Sequence, residues 1–173
     1  TWDHTGCSSN MKLINNTFIS HGSSYHVYSV NCGSFEVVNN IFHGGDNIFH
    51  NANINEVSFN DFYNSSSIFS GSSPDEYIGD YNFTNSNGIP IDLYNNMNQD
   101  PMFTDFEGGN YTLSEGSPCI NAGDPDIVDE YGSPSDMGAL PAFCESEYDC
   151  YGTCNGAAVI DDCGVCSDGT TGH

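Results

Sequence analysis

Apolar residues fall in short bursts along this chain, separated by Gly, Ser, Asn and Asp, and the bursts return at a steady interval. Asn15-Asn16-Thr17-Phe18, Asn39-Asn40-Ile41-Phe42 and Phe59-Asn60-Asp61-Phe62 share one form, with weaker echoes in Asp80-Tyr81-Asn82-Phe83 and Asp100-Pro101-Met102-Phe103. The closing phenylalanines stand 24, 20, 21 and 20 residues apart, too far for any single helix or strand. A second ladder runs through Val27-Tyr28, Ile48-Phe49, Ile68-Phe69 and then Ile91 or Leu93, at similar steps. Repeats of this length mark a solenoid, in which each unit buries its apolar face only against the next.

Each repeat therefore carries two apolar stretches roughly ten residues apart, a gap too short for a helix with its turns. Short strands joined by tight turns fit the spacing. The expected fold is all-β, a right-handed parallel β-helix with about 20–24 residues per coil. Leucine-rich repeats have similar periods, but regularly spaced leucines are absent, with four in the whole chain. Phe18, Phe42, Phe62, Phe83 and Phe103 should form one inner wall, and Tyr28, Phe49 and Phe69 another. Asn supplies 21 of 173 residues. It tolerates the left-handed conformation that corners need, and stacked Asn amides can hydrogen-bond into ladders.

The chain has one Lys plus Arg against 24 Asp plus Glu, a formal net charge of −23. Nucleic acid is excluded as a partner, since phosphate binding needs cations, and an anionic membrane surface would repel the chain. No run of about eighteen apolar residues suggests membrane insertion. Eight cysteines in so short a chain, with almost no lysine, point to an oxidising, extracellular compartment. Cys7 and Cys32 lie about one coil apart, and parallel neighbours at about 4.8 Å are within disulfide range. Asn15, Asn64, Asn82 and Asn110 head Asn-x-Ser/Thr triplets and are glycosylation candidates.

Near residue 100 the pattern changes. Asp100-Pro101-Met102-Phe103, Tyr111-Thr112-Leu113, Gly116-Ser117-Pro118-Cys119-Ile120-Asn121-Ala122-Gly123-Asp124-Pro125 and Asp136-Met137-Gly138-Ala139 follow in order. This run resembles the closing segment of secreted bacterial parallel β-helix proteins of the pectate-lyase-like superfamily, which implies a fold and a surface location but no particular reaction. The tail, with Cys144, Asp149-Cys150-Tyr151-Gly152-Thr153-Cys154-Asn155-Gly156 and Asp161-Asp162-Cys163-Gly164-Val165-Cys166, is similar to one unit of a Cys-rich repeat found in tandem in large secreted proteins of marine bacteria. The expected organisation is β-helix coils over 1–99, a terminal coil or cap over 100–143, and a small disulfide-rich module over 144–173. The chain reads as a piece of a longer parent protein.

Cys119, Cys144, Cys150, Cys154, Cys163 and Cys166 are expected to form disulfides along with Cys7 and Cys32. Four of them, Cys150, Cys154, Cys163 and Cys166, superficially suit zinc, but thiolate sites compete poorly with oxidation outside the cell and no His lies between them. Their pairing stays open among three connectivities. Calcium is the more reasonable cofactor. Asp124, Asp126, Asp129 and Asp136 offer hard oxygen ligands in a turn-rich stretch, although they do not follow the twelve-residue loop pattern and a solvated acidic surface is the plainer reading.

Polysaccharide cleavage is the natural alternative for a β-helix. Lyases of the superfamily use a cationic base, and Lys12 is the sole candidate here; hydrolases use grouped carboxylates, which do not recur on one face. A uronate polymer would be repelled by the net charge, whereas a neutral glycan would not. His21 with His43, and His26 with His50, are spaced near one rung each, most simply as stacked turn residues. No catalytic residue is therefore assigned. The expected function is a structural or adhesive segment of a large secreted or cell-surface protein, a rigid spacer or filament subunit. Its partners would be the parent's other domains, its own copies or a glycan surface; the alternative is a β-helix that binds or degrades neutral polysaccharide.

Overall fold

A computed structural model of the chain describes residues 2–5, 10–22, 25–30, 33–71, 75–129, 134–142, 149–150, 156–160 and 165–167. Ten short strands come first: β1 (Trp2–Thr5), β2 (Met11–Ile14), β3 (Thr17–Ile19), β4 (Tyr25–Val30), β5 (Phe35–Val38), β6 (Ile41–His43), β7 (Asn47–His50), β8 (Ile54–Ser58), β9 (Asp61–Tyr63) and β10 (Phe69–Ser70). Each pairs in parallel with the strand three places along, giving the sheets β1-β4-β7-β10, β2-β5-β8 and β3-β6-β9. The chain thus visits three sheets in turn and stacks each pass on the last, an all-β arrangement consistent with a β-helix-like fold. Among the described residues there is no helix.

The register explains the core. In the third sheet Phe18, Phe42 and Phe62 lie opposite one another. Phe18 and Phe42 stack at 4.8 Å with rings 3° from parallel, and Phe42 meets Phe62 at 5.6 Å. In the first sheet Val27, Phe49 and Phe69 are aligned, with Phe49 and Phe69 stacked at 5.4 Å. Tyr28, expected on this wall, pairs instead with His50 and belongs to the outward column. Side chains alternate faces along a strand, so a register one residue off turns a residue from core to surface. Val27, Phe49, Phe42 and Phe62 pack with Val37, Ile48 and Val57 into one buried cluster.

The regular passes stop at β10. Phe83, expected on the first wall, lies in a short antiparallel pair, β11 (Phe83–Thr84) with β12 (Pro90–Ile91), and is 51% exposed. Phe103 likewise sits outside that wall, in the antiparallel hairpin of β13 (Phe103–Asp105) and β14 (Asn110–Leu113). The true successor of Phe59-Asn60-Asp61 is Asn95-Asn96-Met97, whose Met97 bridges in parallel to Asp61. The step of 36 residues from Asn60 to Asn96 contains an excursion that the first steps do not have.

The 100–142 segment runs along the outer face of the third sheet. There Ile41, Ile91, Met97, Leu113, Cys119 and Met137 form a second buried cluster. Gly138 N–H donates to the Asn39 carbonyl at 2.7 Å and Ala139 N–H to Thr17 Oγ1 at 2.9 Å, so this strap touches two successive passes. Gly138 has φ of 96°, and a Cβ there would lie 2.8 Å from both Ile41 Cδ1 and Thr17 Oγ1. Gly138→Ala is therefore expected to cost about 2–3 kcal/mol, from the unfavourable φ and the crowding, measurable by chemical denaturation. In the tail, β15 (Val159–Ile160) and β16 (Cys166–Ser167) pair antiparallel beside a Cys150–Cys166 disulfide.

Candidate functional site

The corner between the second and third sheets holds a polar arrangement that repeats from pass to pass. At each pass a residue in the left-handed region (Asn15, Asn39, Phe59 and Asn95, φ of 54°, 59°, 55° and 62°) turns the chain. The next residue is always Asn: Asn16, Asn40, Asn60 and Asn96, the last three fully buried. Asn16 Nδ2 donates to Asn40 Oδ1 at 3.0 Å, Asn40 Nδ2 to Asn60 Oδ1 at 3.0 Å, and Asn60 Nδ2 to Asn96 Oδ1 at 2.9 Å. The same oxygens accept the backbone N–H of the preceding Asn at 2.9–3.0 Å. Each amide also reaches the carbonyl two residues back in its own pass. The expected Asn ladder is thus present, and it satisfies corner groups that neither sheet can pair.

The column ends on a carboxylate. Asn96 donates from Nδ2 to both oxygens of buried Asp92, which also receives the N–H groups of Tyr94 and Gly79. Nearby, Asp61 stands in register with Ile41 and Met97, fully buried. Its Oδ1 accepts the Gln99 N–H at 3.0 Å, and Cys119 Sγ lies 3.6 Å from its Oδ2. Burial pushes the Asp61 carboxyl up to about 8, against lesser lowering by the Gln99 and Cys119 bonds. Burial also raises the Cys119 thiol well above its ordinary value, and the Asp61 charge adds to this. Cys119, expected in a disulfide, is a free buried thiol, because the strap presses it against the outer face of the third sheet. Such a thiol is a packing residue, far from the thiolate that attacks electrophiles. Sequence alone gave no sign of the Asp61–Cys119 pair, which depends on how the strap lies.

Tyr81, with its hydroxyl enclosed and unpartnered among the described residues, is also raised, by burial first and then by Asp92 and Asp61. His26 is buried between Phe18 and Phe42 with its Nε2 2.8 Å from the Gly44 carbonyl; burial lowers its basicity. His43 is lowered by burial too, beneath Phe106 and Tyr63. The rung pairs suggested by histidine spacing do not form. His43 is opposite Ile19 and Tyr63, and His50 is opposite Tyr28. Lys12, the one cationic side chain, is in an exposed ion pair with Glu36 at 2.7 Å.

Among the described residues no three His, Cys, Asp or Glu come together as a metal site. Asp124 accepts the Asp126 N–H, and Asp136 uses one oxygen on the Asn121 N–H and the other on the Ala142 N–H. These carboxylates shape the strap's turns; Asp126 projects into solvent and Asp129 is half-buried. Asn64, Asn82 and Asn110 are exposed, whereas Asn15 is half-buried with its Oδ1 enclosed. Cys7, Cys32, Cys144, Cys154 and Cys163 lie outside the described residues. No protein-family model, curated protein or solved structure matches the chain.

Proposed function

We propose that the chain is a structural or adhesive segment of a large secreted or cell-surface protein, a right-handed parallel β-helix serving as a rigid extracellular spacer or filament subunit. The observation that carries this reading is the Asn16–Asn40–Asn60–Asn96 column, in which each side-chain amide is bonded to that of the next pass. Parallel backbone pairing on three sides adds to it, so that shear between passes breaks many bonds at once. The Cys150–Cys166 disulfide and the high cysteine content suit an oxidising exterior. A net charge of −23 keeps such a surface soluble and disfavours casual association.

Light scattering and negative-stain microscopy on the purified chain test this. The expected result is particles of constant width, either monomeric at all concentrations or growing end to end. Release of reducing sugar from neutral or acidic polysaccharides, or a flexible particle of variable outline, would contradict it.

A further inference from the structure

A half-open cleft of about 120 Å³ lies where the 85–87 loop meets the third corner of the stack, lined among others by Phe59, Ser86, Asn87, Asn95, Met97 and Asn121. Its lining holds no Asp, Glu, Lys, Arg or His, in a chain with 24 acidic residues. Three of its amides are idle: no described residue hydrogen-bonds the side chain of Asn87, Asn95 or Asn121. Each such amide offers two donors and one acceptor, the complement of a vicinal pair of hydroxyls. Ile91, Met97 and Met137 are packed beneath the cleft, and the large apolar side chain that it leaves partly exposed is Phe59.

The wall of the cleft is unusual in one position. At the left-handed corner the chain uses Asn in the first, second and fourth passes and Phe59 in the third, at φ of 55°. Asn adopts that conformation readily, whereas a bulky side chain does so at a cost of about 1–2 kcal/mol. Phe59 thus lines the cleft in a backbone conformation that is costly for its side chain, and such strain gathers at binding sites. The opposite wall is preformed. Asn85 Oδ1 accepts the N–H groups of Asn87 and Ile89, both at 3.0 Å, and Asn85 N–H donates to the Ile89 carbonyl, so the loop needs little ordering on binding.

We propose that this cleft binds one uncharged pyranose unit, such as the terminal residue of a neutral glycan. Phe59, with the edge of Ile91, would meet the C–H face of the ring, and the amides of Asn87, Asn95 and Asn121 would meet its hydroxyls. The volume suits a single ring, and the uncharged lining within an acidic molecule selects against uronates. The proposal does not depend on the spacer reading, since it concerns only the strap side of one corner.

The test is a titration of the full ¹⁵N-labelled chain with neutral methyl pyranosides and N-acetylglucosamine to about 50 mM, a range that detects millimolar binding. Glucuronate serves as the charged control. At least one neutral sugar is expected to shift the side-chain amide pairs of Asn87, Asn95 and Asn121 saturably. Asn87→Ala, on an exposed loop, and Asn95→Gly, which keeps the left-handed corner accessible, should each weaken the response at least about tenfold while the remaining spectrum stays folded; roughly tenfold corresponds to about 1.4 kcal/mol. Asn110→Ala, on the β13–β14 hairpin, should leave it unchanged. Absence of a shift with every neutral sugar, an equal response to glucuronate, or wild-type titration by both cleft variants would overturn the proposal.

Discussion

Asn60→Ala is expected to destabilise the chain by about 5 kcal/mol, because it strands several buried polar groups at once, each worth about 1–3 kcal/mol when left unsatisfied. The Asn60 side chain accepts the Asn40 N–H and Asn40 Nδ2, and donates to the Val37 and Ser58 carbonyls and to Asn96 Oδ1. These groups are sealed from bulk solvent in the folded chain, since Asn40, Asn60 and Asn96 are each 0% exposed. A loss of this size is a large share of the 5–15 kcal/mol that typically holds a domain together. Urea denaturation followed by circular dichroism reads it directly. Asn64→Ala, at an exposed turn, is the control and should stay within about 0.5 kcal/mol. A loss below about 1 kcal/mol for Asn60→Ala would mean that the column is ornamental.

Asp61→Asn is expected to act in the opposite direction and to depend on pH. The Asp61 carboxyl sits at about 8 in the folded chain against 3.8 ordinarily, so between those values the folded state holds a proton that the unfolded state releases. Stability from this group is therefore complete below pH 3.8 and declines as pH rises toward 8. At pH 7 the penalty is about 4 kcal/mol, three pH units at about 1.4 kcal/mol each. Asn keeps the acceptor for the Gln99 N–H and can donate to the Cys119 sulfur, while it cannot ionise. The variant should thus unfold at higher denaturant than wild type at pH 7 and match it near pH 4. Equal pH profiles for the two proteins would show that Asp61 is ionised in the folded state, against the burial argument.

The stacking and the first three of the five expected rungs of one inner wall are legible in the sequence, whereas Phe83 and Phe103 lie outside that wall. The Phe18–Phe42–Phe62 wall and the Asn ladder follow from a repeated four-residue word, because side chains at equivalent places in successive passes must touch. The second wall was misread by one residue, since Val27 and Tyr28 are both apolar and only the strand register decides which faces inward. The fourth corner was hidden by an excursion. Asp80-Tyr81-Asn82-Phe83 imitates the word at the right distance, yet the bonds belong to Asn95-Asn96-Met97.

The strap illustrates a different limit. Its motif is legible, and each piece has a physical purpose: Ser117 Oγ bonds the Pro101 carbonyl, Asp136 holds two loop N–H groups, and Gly138 clears Ile41 and Thr17. What the motif does not disclose is where the strap lies. Placing it outside the third sheet turns Ile41 and Asp61 from apparent surface positions into buried ones and leaves Cys119 a thiol. The Asn87–Asn95–Asn121 cleft follows from the same placement, and no local pattern announces it.

The asparagine column is expected to lock successive passes into one cooperative stack. Residue-resolved hydrogen exchange tests it most directly, through the N–H groups that the column and its neighbouring ladder hold: Asn40 to Asn60 Oδ1, Asn60 to Asn96 Oδ1, Asp61 to the Asn40 carbonyl and Met97 to the Asn60 carbonyl. These four amides should be among the slowest in the protein and should exchange with the free energy of global unfolding measured in denaturant. Exchange of Asn40 and Asn60 as fast as that of Asn64 at its exposed turn, or with unequal free energies pass by pass, would contradict it.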